Sequence, residues 1–323
     1  MSDHLSSELL LIGAGKMAAA YARVFRAMNR SMLVIGRGPQ SAVQFERETG
    51  IPPITGGLET GLSQINRLPE TAVVALPVEG LAEAALCLLS RGVKRLLLEK
   101  PGALNGGELH SIREAAKAVQ AEVFIAYNRR FYASTRKAIE LIEEDGGVSS
   151  FHFEFSEWSH LIARSAQSPE VKKQWFLANS THVADLAFFL GGPPRTMNCF
   201  ISGALSWHPA AAAFSGAGST DTGALFSYHA NWIAPGRWGI ELMTRKRRLI
   251  MRPLEQLYVQ QIGSTAAEQA ELEDEIDLLY KPGLYRLAAA FLDQCDPSSL
   301  ITIGQQCDWH DRFYAPMIGA GNL

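Results

Sequence analysis

The stretch LLLIGAGKMA, residues 9–18, decides the fold of this chain. Four apolar residues predict a short buried strand, two glycines predict a turn, and a helical pattern follows. Gly13 permits the tight turn, and Gly15 lets backbone N–H groups approach a pyrophosphate at the N-terminus of the helix. We therefore expect a dinucleotide-binding βαβ unit, with Lys16 and Met17 also beside the phosphates.

The same alternation of apolar strands and helices continues over the first 130 residues. The predicted strands are Glu8–Ile12, Met32–Ile35, Ala72–Ala75, Arg95–Leu98 and Val123–Ala126. The predicted helices are Met17–Met28, Pro39–Thr49, Gly80–Ser90 and Asn105–Val119. Continuous apolar strands separated by helices are typical of a parallel sheet covered on both faces. The fold class is therefore α/β, with an N-terminal Rossmann doubly wound parallel sheet.

After residue 130 the pattern changes to alternating strands. The predicted strands are Ser150–Glu157, Thr196–Ser202, Gly223–Trp232, Gly239–Thr244 and Arg248–Met251. Their period of two predicts a large, mostly antiparallel open sheet with one covered face. The predicted helices are Ala133–Glu144, Thr181–Leu190 and Leu284–Gln294. The stretch Pro209–Gly218 is rich in small residues and is predicted to be a mobile loop.

Length and pattern together predict two domains. A chain of 323 residues exceeds what one hydrophobic core usually serves. We place an NADP-binding Rossmann domain at residues 1–130 and a substrate-binding and oligomerisation α+β domain at residues 131–323. We expect the C-terminal helix to pack back on the first domain, and the exposed face of the second sheet offers an oligomer surface.

Composition excludes several classes of protein. Thirty basic and thirty-three acidic residues give a net charge of -3, without a basic patch suited to nucleic acid. No apolar run reaches the ~18 residues needed to cross a bilayer. The four cysteines form no C-x-x-C pair, so we expect neither a metal site nor a disulfide framework. These features predict a cytoplasmic protein.

The end of the second predicted strand indicates which dinucleotide binds. NAD enzymes usually place Asp or Glu there, where the carboxylate binds the ribose hydroxyls. This chain has Gly36 and Arg37 instead. No carboxylate repels a 2′-phosphate at this point, and an arginine is present to pair with it, so NADP(H) is favoured over NAD(H).

Polar groups follow the ends of later predicted strands, at the edge where open α/β sheets bind their ligands. Glu99 and Lys100 precede Pro101, and the proline favours extended geometry for Lys100. A lysine at this edge can exchange a proton with a substrate oxygen. The remaining candidate cofactor contacts are Leu76, Pro77 and Asn128.

Taken together, these motifs resemble the Gfo/Idh/MocA family, which groups glucose-fructose oxidoreductase, inositol dehydrogenases and many sugar and nucleotide-sugar dehydrogenases. The matching pieces are GAGKMA at 13–18, Pro77, Glu99-Lys100-Pro101, YNRRF at 127–131, His182-x-x-Asp185 and Lys281-Pro282-Gly283. They span most of the chain, and the EKP and NRRF pieces are the most specific.

The resemblance implies that Lys100 is the catalytic lysine of the family and that His182 is its general acid or base. His182 and Asp185 are three residues apart and share a face of the predicted helix. The pKa of histidine suits proton transfer near neutral pH. Many polyol dehydrogenases of the family carry an aspartate four residues before this histidine, where this chain has Ala178. That departure speaks against inositol-type dehydrogenation and leaves Asn179 as a substrate contact.

The candidate substrate contacts lie within or near these motifs in the sequence. They are Tyr127, Arg129, Trp175, Asn179 and Asp185, with Trp158 and His208 as secondary candidates. For the aromatic residues, ordinary packing in the core or sheet is favoured over contact with a substrate.

The sequence thus predicts an NADP(H)-dependent oxidoreductase that transfers a hydride to or from a sugar, nucleotide-sugar or polyol. The stretch WFLANSTH at 175–182 resembles a subgroup associated with surface-glycan biosynthesis. Two other functions fit the same fold: a non-catalytic NAD(P)- or sugar-sensing regulatory protein, and a reductase of a non-sugar carbonyl or imine. The presence of both Lys100 and His182 favours an enzyme.

Overall fold

The computed structural model describes residues 8–319. Their contacts divide the chain into two compact units. The first contains residues 8–127 and 284–307, and the second contains residues 128–283 and 308–319. The chain therefore leaves the first unit after Tyr127 and returns to it for one later segment. No helix within residues 8–319 has the length and apolar character needed to cross a membrane.

The first unit is built on a parallel sheet. Its first five strands are β1 (Leu9–Ile12), β2 (Met32–Ile35), β3 (Thr71–Val74), β4 (Arg95–Glu99) and β5 (Glu122–Ala126). The helices between them are α1 (Lys16–Ala27), α2 (Pro39–Thr49), α3 (Leu58–Ser63), α4 (Leu81–Ser90) and α5 (Gly106–Ala118). The strands lie in the order β2-β1-β3-β4-β5, each parallel to its neighbours. The predicted Rossmann sheet is confirmed.

Burial explains why these strands are continuous apolar runs in the sequence. Every residue of β1 is at most 2% exposed, as expected where helices cover both faces of a parallel sheet. The predicted ends of these strands and of four helices agree with the structure within one residue. Helix α3 was not predicted, because its six residues LETGLS carry too few apolar side chains to show a helical period.

The second unit combines helices with a large sheet. Its helices are α6 (Ala133–Glu144), α7 (Ser159–Arg164), α8 (Pro169–Lys173), α9 (Thr181–Gly191) and α10 (Glu275–Leu279), and a π-helical turn at Phe176–Ser180 precedes α9. Its strands are β6 (Ser150–Glu154), β7 (Pro194–Ser202), β8 (Ala213–Thr220), β9 (Leu225–Asn231), β10 (Gly239–Met243), β11 (Arg247–Met251), β12 (Tyr258–Gln261) and β13 (Ala267–Gln269).

The strands of this sheet lie in the order β13-β12-β11-β10-β6-β9-β8-β7. All neighbours are antiparallel except β6 and β9, which are parallel. The predicted mostly antiparallel sheet is confirmed. The sequence did not predict β12 and β13.

Helix α9 covers one face of the sheet through aromatic packing. Phe188 of α9 meets Phe151, Phe153 and Phe226 edge-on, with ring centroids 5.3–6.1 Å apart. Gly191 lies so close to the Phe151 ring that a Cβ there would overlap it. This close approach buries nearly all of α9 and fixes the positions of the polar residues near its beginning.

The prediction of a mobile loop at Pro209–Gly218 is wrong, because Ala213–Thr220 forms strand β8 between β7 and β9. Its small residues reflect packing rather than mobility. A Cβ at Gly216 would overlap the Tyr228 ring, and a Cβ at Gly218 would lie 2.7 Å from Phe226 Cζ. Large rings on β9, and at Gly218 also the Thr196 carbonyl of β7, therefore occupy the space that side chains of β8 would otherwise fill.

The later part of the chain returns to the first unit. Helix α11 (Leu284–Asp293) packs against α1, and strand β14 (Ile301–Thr302) pairs antiparallel with β5. Helix α12 (Ile303–Trp309) follows, then a π-helical turn at His310–Tyr314 and α13 (Ala315–Met317). The Arg95 guanidinium lies over the rings of Phe124 and Phe291, 5.0 and 5.2 Å from their centroids, and so holds α11 to the sheet.

Candidate active site

The glycine turn after β1 is fixed by the ends of two neighbouring strands. Gly13 has φ +120°, and its N–H donates to Ile35 O at 2.8 Å. A Cβ at Gly13 would lie 2.5 Å from Ala75 O. Only glycine satisfies both the backbone angle and this close approach.

Helix α1 begins with its first amide groups open to a ligand. Gly15 is the N-cap residue, and no side chain caps these amides. Nothing lies within 4 Å of a Cβ built on Gly15, and the first turn holds no acidic residue. Lys16 is exposed and Met17 half-buried in that turn. The turn therefore fits the pyrophosphate of a dinucleotide, because the helix N-terminus offers N–H donors and a positive dipole end.

The end of β2 carries the two residues predicted to select the cofactor. Gly36 is buried, and its N–H donates to Ile54 O at 2.8 Å. A Cβ at Gly36 would lie 2.9 Å from Ala14 Cβ of the glycine turn. Arg37 is exposed, and within residues 8–319 no carboxylate pairs with its guanidinium. The end of β2 thus holds an unpaired cation and no acid.

Strand β4 ends at Glu99 and is followed directly by Lys100. Both side chains are half-buried, and the Lys100–Pro101 peptide bond is cis. The Glu99 carboxylate accepts a hydrogen bond from Tyr21 Oη of α1 at 3.0 Å. Burial, with the nearby Glu99 charge, raises the pKa of Tyr21 well above its usual value, so the hydroxyl stays a donor. Glu99 is therefore anchored to the helix that begins at the glycine turn.

Leu76 and Pro77 follow β3 at the same edge of the sheet. Ala75 N–H donates to Ile12 O at 2.8 Å, and Leu76 Cδ2 lies 3.6 Å from a Cβ built on Gly13. Because β1, β3 and β4 are neighbouring parallel strands, the segments after them meet at one edge. The glycine turn, Leu76 with Pro77, and Lys100 are thus brought to that edge of the first unit.

In the second unit, His182 lies on α9 beside the Trp238 indole. The two ring centroids are 6.1 Å apart, and His182 is 6% exposed. The Arg129 guanidinium lies over the same indole at 4.9 Å, and burial lowers the pKa of Arg129. Trp238 therefore brings the predicted general acid or base and a predicted substrate contact to one place.

Glu157 is a further polar residue of this region, and the sequence did not single it out. It is 4% exposed, and its Oε1 accepts from Asn179 Nδ2 at 3.0 Å and from Ser180 Oγ at 2.7 Å. Burial raises the pKa of this carboxyl, against the effect of those hydrogen bonds. The available signal was an acidic residue at the end of a predicted strand, which the structure ends three residues earlier at Glu154.

Comparison with known proteins adds to this geometry. Residues 8–127 match the family model GFO_IDH_MocA, described as an oxidoreductase family with an NAD-binding Rossmann fold. Over these residues the chain matches the Gfo/Idh/MocA family, which confirms the predicted resemblance and agrees with the predicted NAD(P)-dependent oxidoreductase.

Solved structures share the fold of this chain over nearly its whole length. Levoglucosan dehydrogenase, in complex with NADH and levoglucosan, matches with a TM-score of 0.73 and 18% identity over 97% of this chain and 96% of that one. An NAD-binding oxidoreductase from Klebsiella pneumoniae matches with a TM-score of 0.73 and 16% identity over 96% of both chains. The WlbA dehydrogenase from Bordetella pertussis, in complex with NADH and UDP-GlcNAcA, gives 0.72 and 15% over 98% and 97%. The comparison with curated protein sequences found no match.

Two residues predicted as ligand contacts form hydrogen bonds within the protein. Asp185 is 1% exposed, and its carboxylate accepts from Arg130 Nη2 at 2.6 Å and from Arg130 Nε at 2.8 Å. Asn128 is 6% exposed, and its Nδ2 donates to Pro282 O at 2.9 Å. We therefore propose that both residues stabilise the site rather than contact a ligand.

Tyr127 is buried, and it shares a partner with the EKP turn. Gln306 of α12 donates from its Nε2 to Pro101 O at 2.9 Å and to Tyr127 Oη at 3.1 Å. Gln306 itself is fully buried. The sequence did not predict this glutamine, which ties the segment after Lys100 to the end of β5.

The aromatic candidates divide into a buried histidine and partly exposed tryptophans. His208 is 1% exposed, its Nδ1 lies 2.8 Å from Ala211 O, and burial lowers its pKa. It is a neutral residue of the core. Trp175 is half-buried and meets Trp207 edge-on at 6.2 Å, and Trp158 is 48% exposed. The tryptophans can therefore contact a ligand, whereas His208 packs in the interior.

Proposed function

We propose that this protein is an NADP(H)-dependent oxidoreductase that transfers a hydride to or from a carbon of a sugar, nucleotide-linked sugar or polyol. The observation that carries the proposal is the position of Lys100 directly after β4, at the sheet edge that also holds the glycine turn. The sugar class is supported by levoglucosan and UDP-GlcNAcA, which are bound by two proteins of the same fold.

The preference for NADP(H) rests on the end of β2. A 2′-phosphate placed there meets the exposed Arg37 guanidinium, and a guanidinium forms two parallel hydrogen bonds with a phosphate. Gly36 supplies no carboxylate to bind the ribose hydroxyls of NAD(H). Two solved structures of similar fold contain NADH. A preference for NAD(H) is therefore the alternative that the experiment must test.

The chemistry assigned to the chain is proton handling and orientation. When bound, the nicotinamide supplies or accepts the hydride. In the oxidation direction the substrate hydroxyl gives its proton to Lys100 Nζ, and in reduction Lys100 returns a proton to the carbonyl oxygen. His182 is the second proton carrier, because its usual pKa lies near neutral pH.

Asn179 is proposed to orient the substrate ring. Its Nδ2 is committed to Glu157, so its Oδ1 faces the opposite way along the amide plane. Within residues 8–319 that oxygen makes no hydrogen bond of its own. It can therefore accept a hydrogen bond from a sugar hydroxyl. Tyr127, Arg129 and Trp175 remain proposed as neighbours of the substrate.

Lys100→Met is the direct test of the proposal. Purified protein is mixed with NADPH and a panel of keto-sugars, or with NADP+ and the corresponding sugars, and the nicotinamide absorbance is followed. We expect wild-type turnover of at least one sugar and a loss of about 100- to 10,000-fold in kcat for the variant. Affinity for NADPH should stay near the wild-type value. A variant with near-normal turnover overturns the role of Lys100, and binding of NADPH and sugar without any turnover supports a sensing protein instead.

We also propose that the protein is a homodimer or homotetramer that uses the second sheet. Phe200 pairs with Ser215, and Leu225 pairs with Ser219, four residues further along β8. Residues paired across strands, or separated by an even number along one, share a face. Phe200 and Leu225, 70% and 64% exposed, thus lie on the same face. Light scattering on Phe200→Glu should show a smaller particle than the wild type.

We place this activity in the cytoplasm, in agreement with four cysteines that form no C-x-x-C pair. The sugar class and the WFLANSTH stretch at 175–182 together favour a role in surface-glycan biosynthesis. Activity with nucleotide-linked sugars in the panel above supports that role, and activity confined to free monosaccharides contradicts it.

A further inference from the structure

A cavity of about 600 Å³ lies within the second unit. Ligand pockets in proteins commonly span about 300–1,000 Å³. The residues of its wall that the following argument uses are Glu157, Trp158, Ser159, Trp207 and Trp232. The cavity has room for a ring-sized part of a small molecule.

Two tryptophans of the cavity wall are held in place by the protein. Trp207 stacks on Trp232, with centroids 5.6 Å apart and planes 8° apart, and its Nε1 donates to Ser159 Oγ at 3.1 Å. Trp158 donates from Nε1 to Gly236 O at 3.1 Å. Trp207 is nevertheless half-buried only, and Trp158 is 48% exposed. The indoles therefore offer fixed apolar surface to an occupant, which reduces the entropy lost on binding.

Glu157 supplies the polar group of the same wall. The residue is 4% exposed, and its Oε1 accepts from Asn179 Nδ2 and Ser180 Oγ. Burial raises the pKa of this carboxyl, and besides these two donors the nearby Arg237 guanidinium and Trp175 indole N–H act to lower it. A carboxyl group at the cavity wall offers an acceptor to a ligand hydroxyl.

The combination selects a sugar ring. Its C–H faces pack on indole surfaces, and its hydroxyls donate to a carboxylate. A purely apolar group makes no hydrogen bond with the Glu157 carboxyl. The cavity is therefore suited to a polyhydroxylated ring.

The described wall of the cavity does not include the surroundings of His182. His182 and its neighbour Trp238 are absent from the described residues that line the cavity. Glu157 links the two places, because it lines the cavity and binds Asn179, three residues before His182. A substrate that reacts near His182 can thus reach the cavity with a second ring.

We propose that the Trp158–Trp207 cavity binds a second sugar ring of the substrate, so that the substrate is a glycoside or disaccharide rather than a free monosaccharide. The proposal rests on the proposed function, since it assumes that the reacting group is a sugar.

Calorimetric titration of the NADPH-loaded protein tests the cavity without requiring turnover. Glucose is compared with the disaccharides cellobiose, maltose and lactose. We expect at least one disaccharide to bind about tenfold or more tightly than glucose. Trp158→Ala and Trp207→Leu should each weaken disaccharide binding by about tenfold and leave glucose binding unchanged. The matched control is Leu278→Ala, which removes an exposed apolar side chain outside the cavity wall and should change neither affinity.

The outcomes separate this proposal from the proposed function. Equal affinities for glucose and all three disaccharides overturn the cavity proposal. So does a Trp158→Ala variant that weakens glucose binding and disaccharide binding equally. Should Trp207→Leu unfold the protein, Trp158→Ala decides the question, because that side chain is half exposed. Absence of turnover with every sugar refutes the proposed function, while the titrations still establish whether the cavity takes a second ring.

Discussion

Replacing Asp185 with alanine distinguishes a carboxylate that stabilises the fold from one that binds substrate. Asp185 and Arg130 are 1% and 6% exposed, and two hydrogen bonds of 2.6 and 2.8 Å join them. The Arg130 guanidinium also lies over the rings of Phe189 and Trp309, 4.7 and 5.7 Å from their centroids. The variant therefore keeps a buried cation and removes its carboxylate.

The expected loss is large because an uncompensated buried charge is costly. Removing one partner of a buried ion pair typically lowers the free energy of unfolding by about 3–5 kcal/mol. The whole stability of a domain is about 5–15 kcal/mol, so the variant loses a major part of it. With urea m-values of about 1–3 kcal/mol per M, the midpoint should fall by about 1–5 M.

A matched control removes both charges together. Arg130→Met with Asp185→Leu replaces the pair by apolar side chains, and such replacements are commonly neutral or stabilising. We expect the double variant to recover most of the stability that Asp185→Ala loses. This comparison separates the cost of an uncompensated charge from the cost of altered packing.

The assay combines urea unfolding, followed by tryptophan fluorescence, with KM for the sugar measured where each variant is folded. We expect Asp185→Ala to change the unfolding midpoint strongly and KM little. A loss below about 1 kcal/mol together with a tenfold higher KM would refute the structural role and assign Asp185 to the substrate.

Three further changes test the cofactor half and the newly found polar residues. Arg37→Ala should weaken the binding of NADPH by about 10- to 100-fold and that of NADH little, because it removes charge-assisted hydrogen bonds to the 2′-phosphate. Fluorescence titration with both cofactors measures the two affinities. Equal weakening of both contradicts the prediction. Gln306→Leu should lower kcat by about tenfold with NADPH affinity and sugar KM nearly unchanged, because it releases Tyr127 Oη and the carbonyl of Pro101, the residue directly after Lys100. A parallel fall in cofactor affinity would indicate a merely structural role. Glu157→Gln should become more stable relative to wild type as pH rises above 4.5. The raised pKa of Glu157 means that folding favours its protonated form, so the wild type loses stability as pH rises through the folded-state pKa. Free energies of unfolding are measured for both proteins at pH 5 and 8. The same difference between the two proteins at both pH values argues against the prediction.

The part of the site proposed to bind the cofactor could be predicted from the sequence, because each of its motifs consists of consecutive residues. The glycine turn, the Gly36-Arg37 pair and the EKP turn each occupy a few consecutive residues at the end of an apolar strand. Strand ends that are far apart in sequence meet at one edge through the topology of a parallel sheet, which the strand–helix alternation already predicts.

The substrate half depends on pairs that leave no local mark. Arg130 meets Asp185 across 55 residues, and Glu157 meets Asn179 across 22. Gln306 reaches Tyr127 across 179 residues, because the chain returns to the first unit after leaving it. No spacing rule within one helix or strand reports such contacts. The prediction of a mobile loop at the small residues of β8 was wrong for a related reason, because the neighbouring strands occupy the space that larger side chains would need.

Gly36 connects the cofactor preference to the packing of the turn. An aspartate at this position, the residue typical of NAD enzymes, has a Cβ, and a Cβ here would lie 2.9 Å from Ala14 Cβ. Alanine has no flexible end that could move aside, so the backbone of the glycine turn must shift, and that backbone donates to the pyrophosphate. An exchange of Gly36 alone therefore disturbs a contact that both cofactors share. Adding Ala14→Gly removes the clashing methyl group, so a change toward NAD(H) requires both positions together.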